Sequence, residues 1–315
     1  MKRVLLILLS CLTLFAQPSF SQDAPLNIVF IPKSNDQDFW IFMRQGVDKA
    51  IRESGNVSLT WRGPAFNDDT DSQIKILQAY TKPGIDAIII APTDRVRLVE
   101  PIRKATALDI AVIVVDSAVS GDNYQNFITT DNYAAGALAA RHLAELLNGE
   151  GNVAVLRTVK GSASTDDRAK GFIDTLKLTF PKLTIVADIY GGGSRGRAMR
   201  SAEALLKSTP KIDGIFAVNE SSTDGMLRAL RNQARSGTIK LVGFDSTDFL
   251  IEGLEKGEIA GLIVQNPREM GYLGMKAAVA AARNAPIVEK TVFTPATMVT
   301  RDNYHEPDVW NLLVP

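Results

Sequence analysis

Sulfur and imidazole are nearly absent from this chain. Its one cysteine is Cys11, and its two histidines are His142 and His305. If the segment carrying Cys11 is removed, no disulfide, Cys metal site or Cys nucleophile remains. No Walker loop and no H-E-x-x-H helix occurs, which excludes the usual nucleotide and zinc-protease signatures. Net charge is missing as well. The 35 basic residues balance 35 acidic ones, so nothing implies a nucleic acid or another polyanion as partner. After residue 21 no run is long and apolar enough to span a membrane.

What is present begins with Met1-Lys2-Arg3, a short positive start. An almost wholly apolar run from Val4 to Ala16 follows, broken at Gln17-Pro18-Ser19-Phe20-Ser21. This is the layout of a secretory signal peptide over residues 1–21, with cleavage expected after Ser21. A buried N-terminal helix or strand fits the charged start and the break less well. Leu8-Leu9-Ser10-Cys11 resembles a lipoprotein box, but the apolar run continues past it, so anchoring at Cys11 is the lesser reading. The expected location is outside the cytoplasm, away from ATP and NAD, and no cofactor is expected.

Beyond the leader, strands alternate with amphipathic helices. Apolar strands are expected over 26–31, 57–62, 86–91, 111–115, 153–158, 183–190, 214–218 and 239–244. Helices are expected over 38–54, 69–82, 95–108, 132–147, 168–180, 197–208 and 223–233. Wholly apolar strands between helices imply parallel sheets covered on both faces. The length implies two such units. The fold class is therefore α/β, with two doubly wound parallel-sheet lobes.

Ligands of open α/β sheets sit beyond the carboxyl ends of the strands. Here those ends carry Lys33, Asp116, Asn219, Asp245 and Gln265, and Asp38-Phe39-Trp40 opens the first helix. Asp, Asn and Gln each offer two hydrogen-bonding atoms to neighbouring hydroxyls, and aromatic faces cover the C–H side of a sugar ring.

Several markers occur in one order: Phe30-Ile31-Pro32-Lys33, Phe39-Trp40 with Gly46, Pro92-Thr93-Asp94, Val115-Asp116, and Thr130-Asp131-Asn132 with Gly136. Arg168 with Gly171-Phe172, Asn219, Val242-Gly243-Phe244-Asp245 and Gln265-Asn266-Pro267 follow. In these residues the chain resembles the periplasmic sugar-binding proteins of the ribose-binding type, which feed ABC importers. The resemblance covers about Pro25 to Asn303. It implies a periplasmic binding protein type I fold whose lobes are joined by three crossovers, with hinges near Thr129-Thr130, Gln265 and Pro295. Residues 22–129 and 266–294 would form the N-terminal lobe, and residues 130–265 and 295–315 the C-terminal lobe. It implies stacking by Phe39 and Trp40, a first-lobe carboxylate at Asp116, and second-lobe polar contacts from Asn219, Asp245 and Gln265. The implied partners are a small polyhydroxylated ligand and a membrane ABC permease, or alternatively a chemoreceptor or histidine kinase, with the protein a monomer.

Departures bear on the ligand. Ribose binders have arginines where this chain has Ser117 and Asp166, and a ring where it has Gly191-Gly192-Gly193. That argues against ribose itself. Lys33, Asp116 and Asp166 resemble contacts of the autoinducer-2 binding branch, whose other contacts are unmatched around Val218 to Glu220.

Each residue also has a plainer reading. Trp40 suits a groove under the first helix, and one of Phe39 and Trp40 is expected to point inward. Asp116, Asn219 and Asp245 suit helix or turn caps. Arg168 suits a pair with Asp166 or Asp167, and Lys33 an exposed loop. Gly191-Gly192-Gly193-Ser194-Arg195-Gly196 fits the G-x-G-x-x-G dinucleotide pattern but lies mid-chain. Asp116 and Asp166 also form a carboxylate pair of the kind glycoside hydrolysis uses, so an exported sugar hydrolase is the enzyme alternative to a non-catalytic binder.

Overall fold

The computed structural model describes residues 24–209, 211–286 and 288–314. The expected signal peptide and Cys11 lie outside them. Two six-stranded sheets carry the fold. The first contains β1 (Leu26–Ile31), β2 (Val57–Trp61), β3 (Ala87–Ile90), β4 (Ala111–Val115), β5 (Asn126–Thr130) and β11 (Thr291–Thr294), in the order β11-β5-β4-β3-β1-β2. The second contains β6 (Gly151–Arg157), β7 (Leu183–Tyr190), β8 (Gly214–Ala217), β9 (Lys240–Phe244), β10 (Gly261–Gln265) and β12 (Ala296–Val299), in the order β12-β10-β9-β8-β6-β7. The orders coincide when β1 to β5 are matched with β6 to β10.

Helices α1 (Asp38–Ser54), α2 (Thr70–Tyr80), α3 (Val99–Thr106) and α9 (Pro267–Ala282) belong to the first sheet. Helices α4 (Asn132–Leu146), α5 (Ala163–Thr179), α6 (Arg195–Ser208), α7 (Glu220–Asn232), α8 (Asp248–Glu255) and α10 (Pro307–Leu313) belong to the second. Strand residues alternate between two cores, as a period of two requires. Ile28 and Phe30 pack with Met43 of α1 and Met275 of α9, whereas Val29 and Ile31 pack with Leu77 of α2 and Ile102 of α3. Val153 and Val155 likewise face Leu143 and Phe172, and Ala154 and Leu156 face Leu205 and Leu227.

Three connections pass from one sheet to the other: β5 into α4, β10 into α9, and β11 into β12. Helix α4 leaves the first sheet and packs on α5, while α9 leaves the second and packs on α1. Four glycines, three of them sequence markers, make these contacts close. A Cβ at Gly46 or Gly271 would fall 1.8 or 2.2 Å from the carbonyl oxygen of Arg268 or Met43. At Gly136 or Gly171 it would fall 1.9 or 2.0 Å from that of Arg168 or Tyr133.

The structure departs from the sequence expectation in a few places. β12 runs antiparallel to β10, so the second sheet is not wholly parallel. Only Pro295 separates β12 from β11, which leaves no room for a crossover helix. Helices α5 and α7 start at Ala163 and Glu220, earlier than expected. Their Ser-, Thr- and acid-rich first turns read as loop, although those residue types favour helix starts. Helix α3 starts later, at Val99, because Asp94 Oδ1 accepts from the amides of Val96 and Arg97, both at 2.8 Å, and holds a turn.

Candidate ligand-binding site

Asp116 and Asp245 occupy matched positions just after β4 and β9. Both adopt left-handed backbone, with φ of 61° and 67°. Their amides donate to the next strand over, to Ile128 O at 2.9 Å and Ile263 O at 2.8 Å. Asp is among the residues that tolerate this conformation best, and the turn takes the chain off the sheet toward the other lobe. Both residues line a cavity between the lobes. Lys33, Phe39, Trp40, Arg168, Asn219 and Gln265 line it too. None of these eight side chains is exposed. Phe39 and Trp40 are both buried, and their rings meet edge to face at 4.9 Å.

The charged groups of the cavity are tied down. Lys33 Nζ lies 2.8 Å from Asp116 Oδ2. It also donates across the cleft to Ser164 Oγ at 2.9 Å and Ser162 Oγ at 3.3 Å. Burial pushes its pKa down, and Asp116 opposes that shift. Lys33 is thus a buried bridge and not a loop lysine. Arg168 pairs with neither Asp166 nor Asp167. Its Nε donates to Asn132 Oδ1 at 2.8 Å, its Nη1 to Val218 O at 3.1 Å, and its guanidinium lies 3.7 Å from the Phe244 ring centre. Asp245 accepts from Gln265 Nε2 at 2.6 Å and from the Glu220 amide at 3.1 Å. Burial pushes its pKa up, with Arg168 pulling the other way. Gln265 Oε1 in turn accepts from Thr130 Oγ1 at 2.9 Å, joining two of the three inter-sheet connections.

Asp166 is the expected site residue that the structure does not bring to the cavity wall. Its carboxylate accepts from the Gly161 amide at 3.1 Å and sits 3.6 Å from Arg157. The early start of α5 turns it outward. The Asp116–Asp166 carboxylate pair is therefore not assembled in the cavity, and Asp116 is committed to Lys33. Asn219 both lines the cavity and caps α7, accepting from the Ser222 amide at 3.1 Å. Gln37, Asn67, Thr158, Ser162, Ser164 and Thr165 complete the wall. Two of these had a usable sequence position: Thr158 at the end of an expected strand, and Gln37 directly before Asp38-Phe39-Trp40. The glycine segment also reads as G-x-S-x-G over residues 192–196. Ser194 there is the N-cap of α6 and accepts from a backbone amide.

A family model for a periplasmic binding protein domain matches residues 28–286. The chain belongs to the periplasmic binding protein family. It is 26% identical over 278 residues to the D-allose-binding periplasmic protein of Escherichia coli, covering 86% of this chain and 89% of that one. Among solved structures, the periplasmic component of an ABC-type sugar transport system from Hahella chejuensis is 38% identical. Its TM-score is 0.84, over 87% of this chain and 99% of that one. A carbohydrate-transporter solute-binding protein from Agrobacterium radiobacter, in complex with D-arabinose, is 33% identical. Its TM-score is 0.89, over 93% of this chain and 100% of that one.

This periplasmic binding protein has a further buried acid beside its cavity that sequence reading missed. Glu220, in the first turn of α7, reaches across the cleft, and its Oε2 accepts from the Phe39 amide at 3.0 Å. Gln37, the N-cap of α1, makes no side-chain cap bond, so an acid of the other lobe caps that helix. The Arg195 guanidinium contacts Glu220 Oε1 and lies 3.6 Å from Asp38. Burial pushes the Glu220 carboxyl up to about 8, and Arg195 opposes the shift. An opening of the cleft that rehydrates the carboxyl would return it toward the ordinary carboxylate range. Closure would then take up a proton. The closed form gains most below the open-state pKa and loses that gain as pH rises through about 8. Lys33 titrates in the opposite sense, because burial lowers its pKa. Comparison with Glu220→Gln isolates the acid. Its affinity should vary less than the wild type's between pH 6 and roughly 9, measured by calorimetry. Identical pH profiles would show that Glu220 does not titrate with closure.

Proposed function

We propose that this protein captures one small, uncharged, polyhydroxylated molecule, a monosaccharide or polyol, between its lobes in the periplasm and delivers it to an ABC importer. The observation that carries the reading is the charge balance of a cavity whose charged lining residues are buried. Two cations, Lys33 and Arg168, face two carboxylates, Asp116 and Asp245. A net charge on the ligand would go unmatched there, whereas hydroxyls both donate and accept. Three more buried atoms of wall residues, Gln37 Nε2, Trp40 Nε1 and Asn67 Oδ1, have no protein partner among the described residues. They add two donors and an acceptor.

The proposed contacts are Lys33, Phe39, Trp40, Asp116, Arg168, Asn219, Asp245 and Gln265, with Gln37 and Asn67 added and Asp166 left out. The lobes are read as residues 22–129 with 266–294, and 130–265 with 295–315. They hinge near Thr129-Thr130, Gln265 and Pro295, in line with the Thr130–Gln265 bond between two connections. Binding without catalysis is favoured because Asp116 is ion-paired and its presumed partner acid lies elsewhere.

Relatives bring candidate ligands: D-allose, ribose, xylitol, D-arabinose and D-fucose. Thermal unfolding in the presence of each is the test. A sugar at 100 times its Kd should add about 2.7 kcal/mol to stability. If none of the five, nor a wider set of neutral monosaccharides, raises the unfolding temperature, the sugar reading fails.

A further inference from the structure

The glycine segment that mimics a nucleotide motif meets the other lobe directly. Gly193, between β7 and α6, comes so close to the β2–α2 loop that a Cβ there would lie 2.6 Å from the Asp68 amide nitrogen. Its carbonyl accepts from the Asn67 amide at 3.4 Å, and its own amide donates to Asp68 Oδ2 at 3.3 Å. Arg197, one turn on, pairs with the same Asp68. A matching arrangement closes the opposite flank. Gly161, between β6 and α5, accepts from the Arg95 amide at 2.9 Å, and a Cβ on it would lie 2.5 Å from Asp94 Oδ2. Arg95 then reaches Asp167 at 3.3 Å. Each flank thus has a second-lobe glycine, a main-chain hydrogen bond across the cleft and an Arg–Asp pair outside it.

We propose that Gly193 and Gly161 determine which ligands the site admits. By letting the lobes meet main chain to main chain, they seal both flanks of the closed cleft. The site then takes a single free sugar or polyol and rejects one bearing a substituent that projects past either seal. The inference rests on reading the cleft as a sugar site. It assigns the glycine segment a role that neither a nucleotide nor a stacking ring fills here. A methyl group on a hydroxyl facing the Gly193 seal would have to part the main chains of Gly193 and the Asn67–Asp68 segment. Close packing leaves no room for it.

Gly193 is the clean position for a test, because its φ is not in the left-handed region, whereas that of Gly161 is +94°. Gly193→Ala is strained only when the lobes meet, so it should unfold at the wild-type temperature without sugar. D-ribose, D-allose, D-arabinose and D-fucose are each titrated beside their methyl glycosides. For any sugar bound, the wild type should prefer the free form at least a hundredfold. In Gly193→Ala the affinity for that sugar should fall at least tenfold and the preference should narrow below tenfold. A wild type that binds the glycoside within tenfold of the free sugar, or a variant that keeps full discrimination, overturns the proposal. A second arm needs no sugar. In a Cys11→Ser background that keeps Gly193, Asp68→Cys/Arg197→Cys should be joined by a short bismaleimide, because the closed form pairs these two side chains across the cleft. Failure to cross-link overturns the clasp. A chain that cross-links but binds none of the four sugars counts against the sugar reading and supports the clasp.

Discussion

Replacing Asp116 by alanine is expected to weaken sugar binding by about 3–5 kcal/mol. The loss arises in the closed form. There Lys33 and Asp116 are each only 6% exposed by side chain and lie 2.8 Å apart. Removing the carboxylate strands a cation between the lobes, where its remaining protein partners are the neutral hydroxyls of Ser162 and Ser164. An opened cleft lets water reach Lys33 instead, so the fold itself should lose little. Calorimetry reads the affinity, and thermal unfolding without sugar reads the fold. A double-mutant cycle with Lys33→Met isolates the pair. A coupling energy below about 0.5 kcal/mol would mean that the two groups do not act together.

Arg168→Met should do the reverse and strike the fold. This guanidinium is one of the largest fully buried groups of the protein. It bonds to the Val218 carbonyl in the segment after β8, holds Asn132 at the start of α4, and lies over the ring of Phe244 at the end of β9. The substitution leaves two buried acceptors short of donors and takes the nearby cation from Asp245, at an expected cost of about 3–5 kcal/mol in urea unfolding. Arg168→Lys should rescue little, since an ammonium cannot serve both acceptors while stacked on the ring. A loss below about 1 kcal/mol for Arg168→Met would show that the second lobe does not depend on this anchor.

Most of the architecture was legible because the central strands are apolar on both faces. Runs such as Ile28 to Ile31 and Ala111 to Val115 leave little choice but a covered parallel sheet. Three strands were harder. β5, β11 and β12 carry threonines and half-exposed positions, and their pairing depends on partners far away in sequence. At the site, strand-end residues were legible because the fold class says where to look. Ser162 and Ser164 were not, because small hydroxyl residues occur everywhere and gain meaning only from what they face. Asp166 was misplaced by a helix start set a turn too late. Glu220 hid behind Asn219, since a buried acid has no signature until the amide it caps is seen in the other lobe.

The exchange of α4 and α9 between the sheets bears on how the chain is made. The first sheet lacks β11 until residue 294, and until residue 282 its core lacks the whole of α9, with Met270, Met275 and Val279. The second is begun at residue 151 and needs β12 near the far end. Neither half is finished when its opening strands emerge, so folding domain by domain during synthesis has no complete unit to act on. The nascent chain stays open until nearly its whole length is available. A cut between β5 and α4 should release no stable fragment.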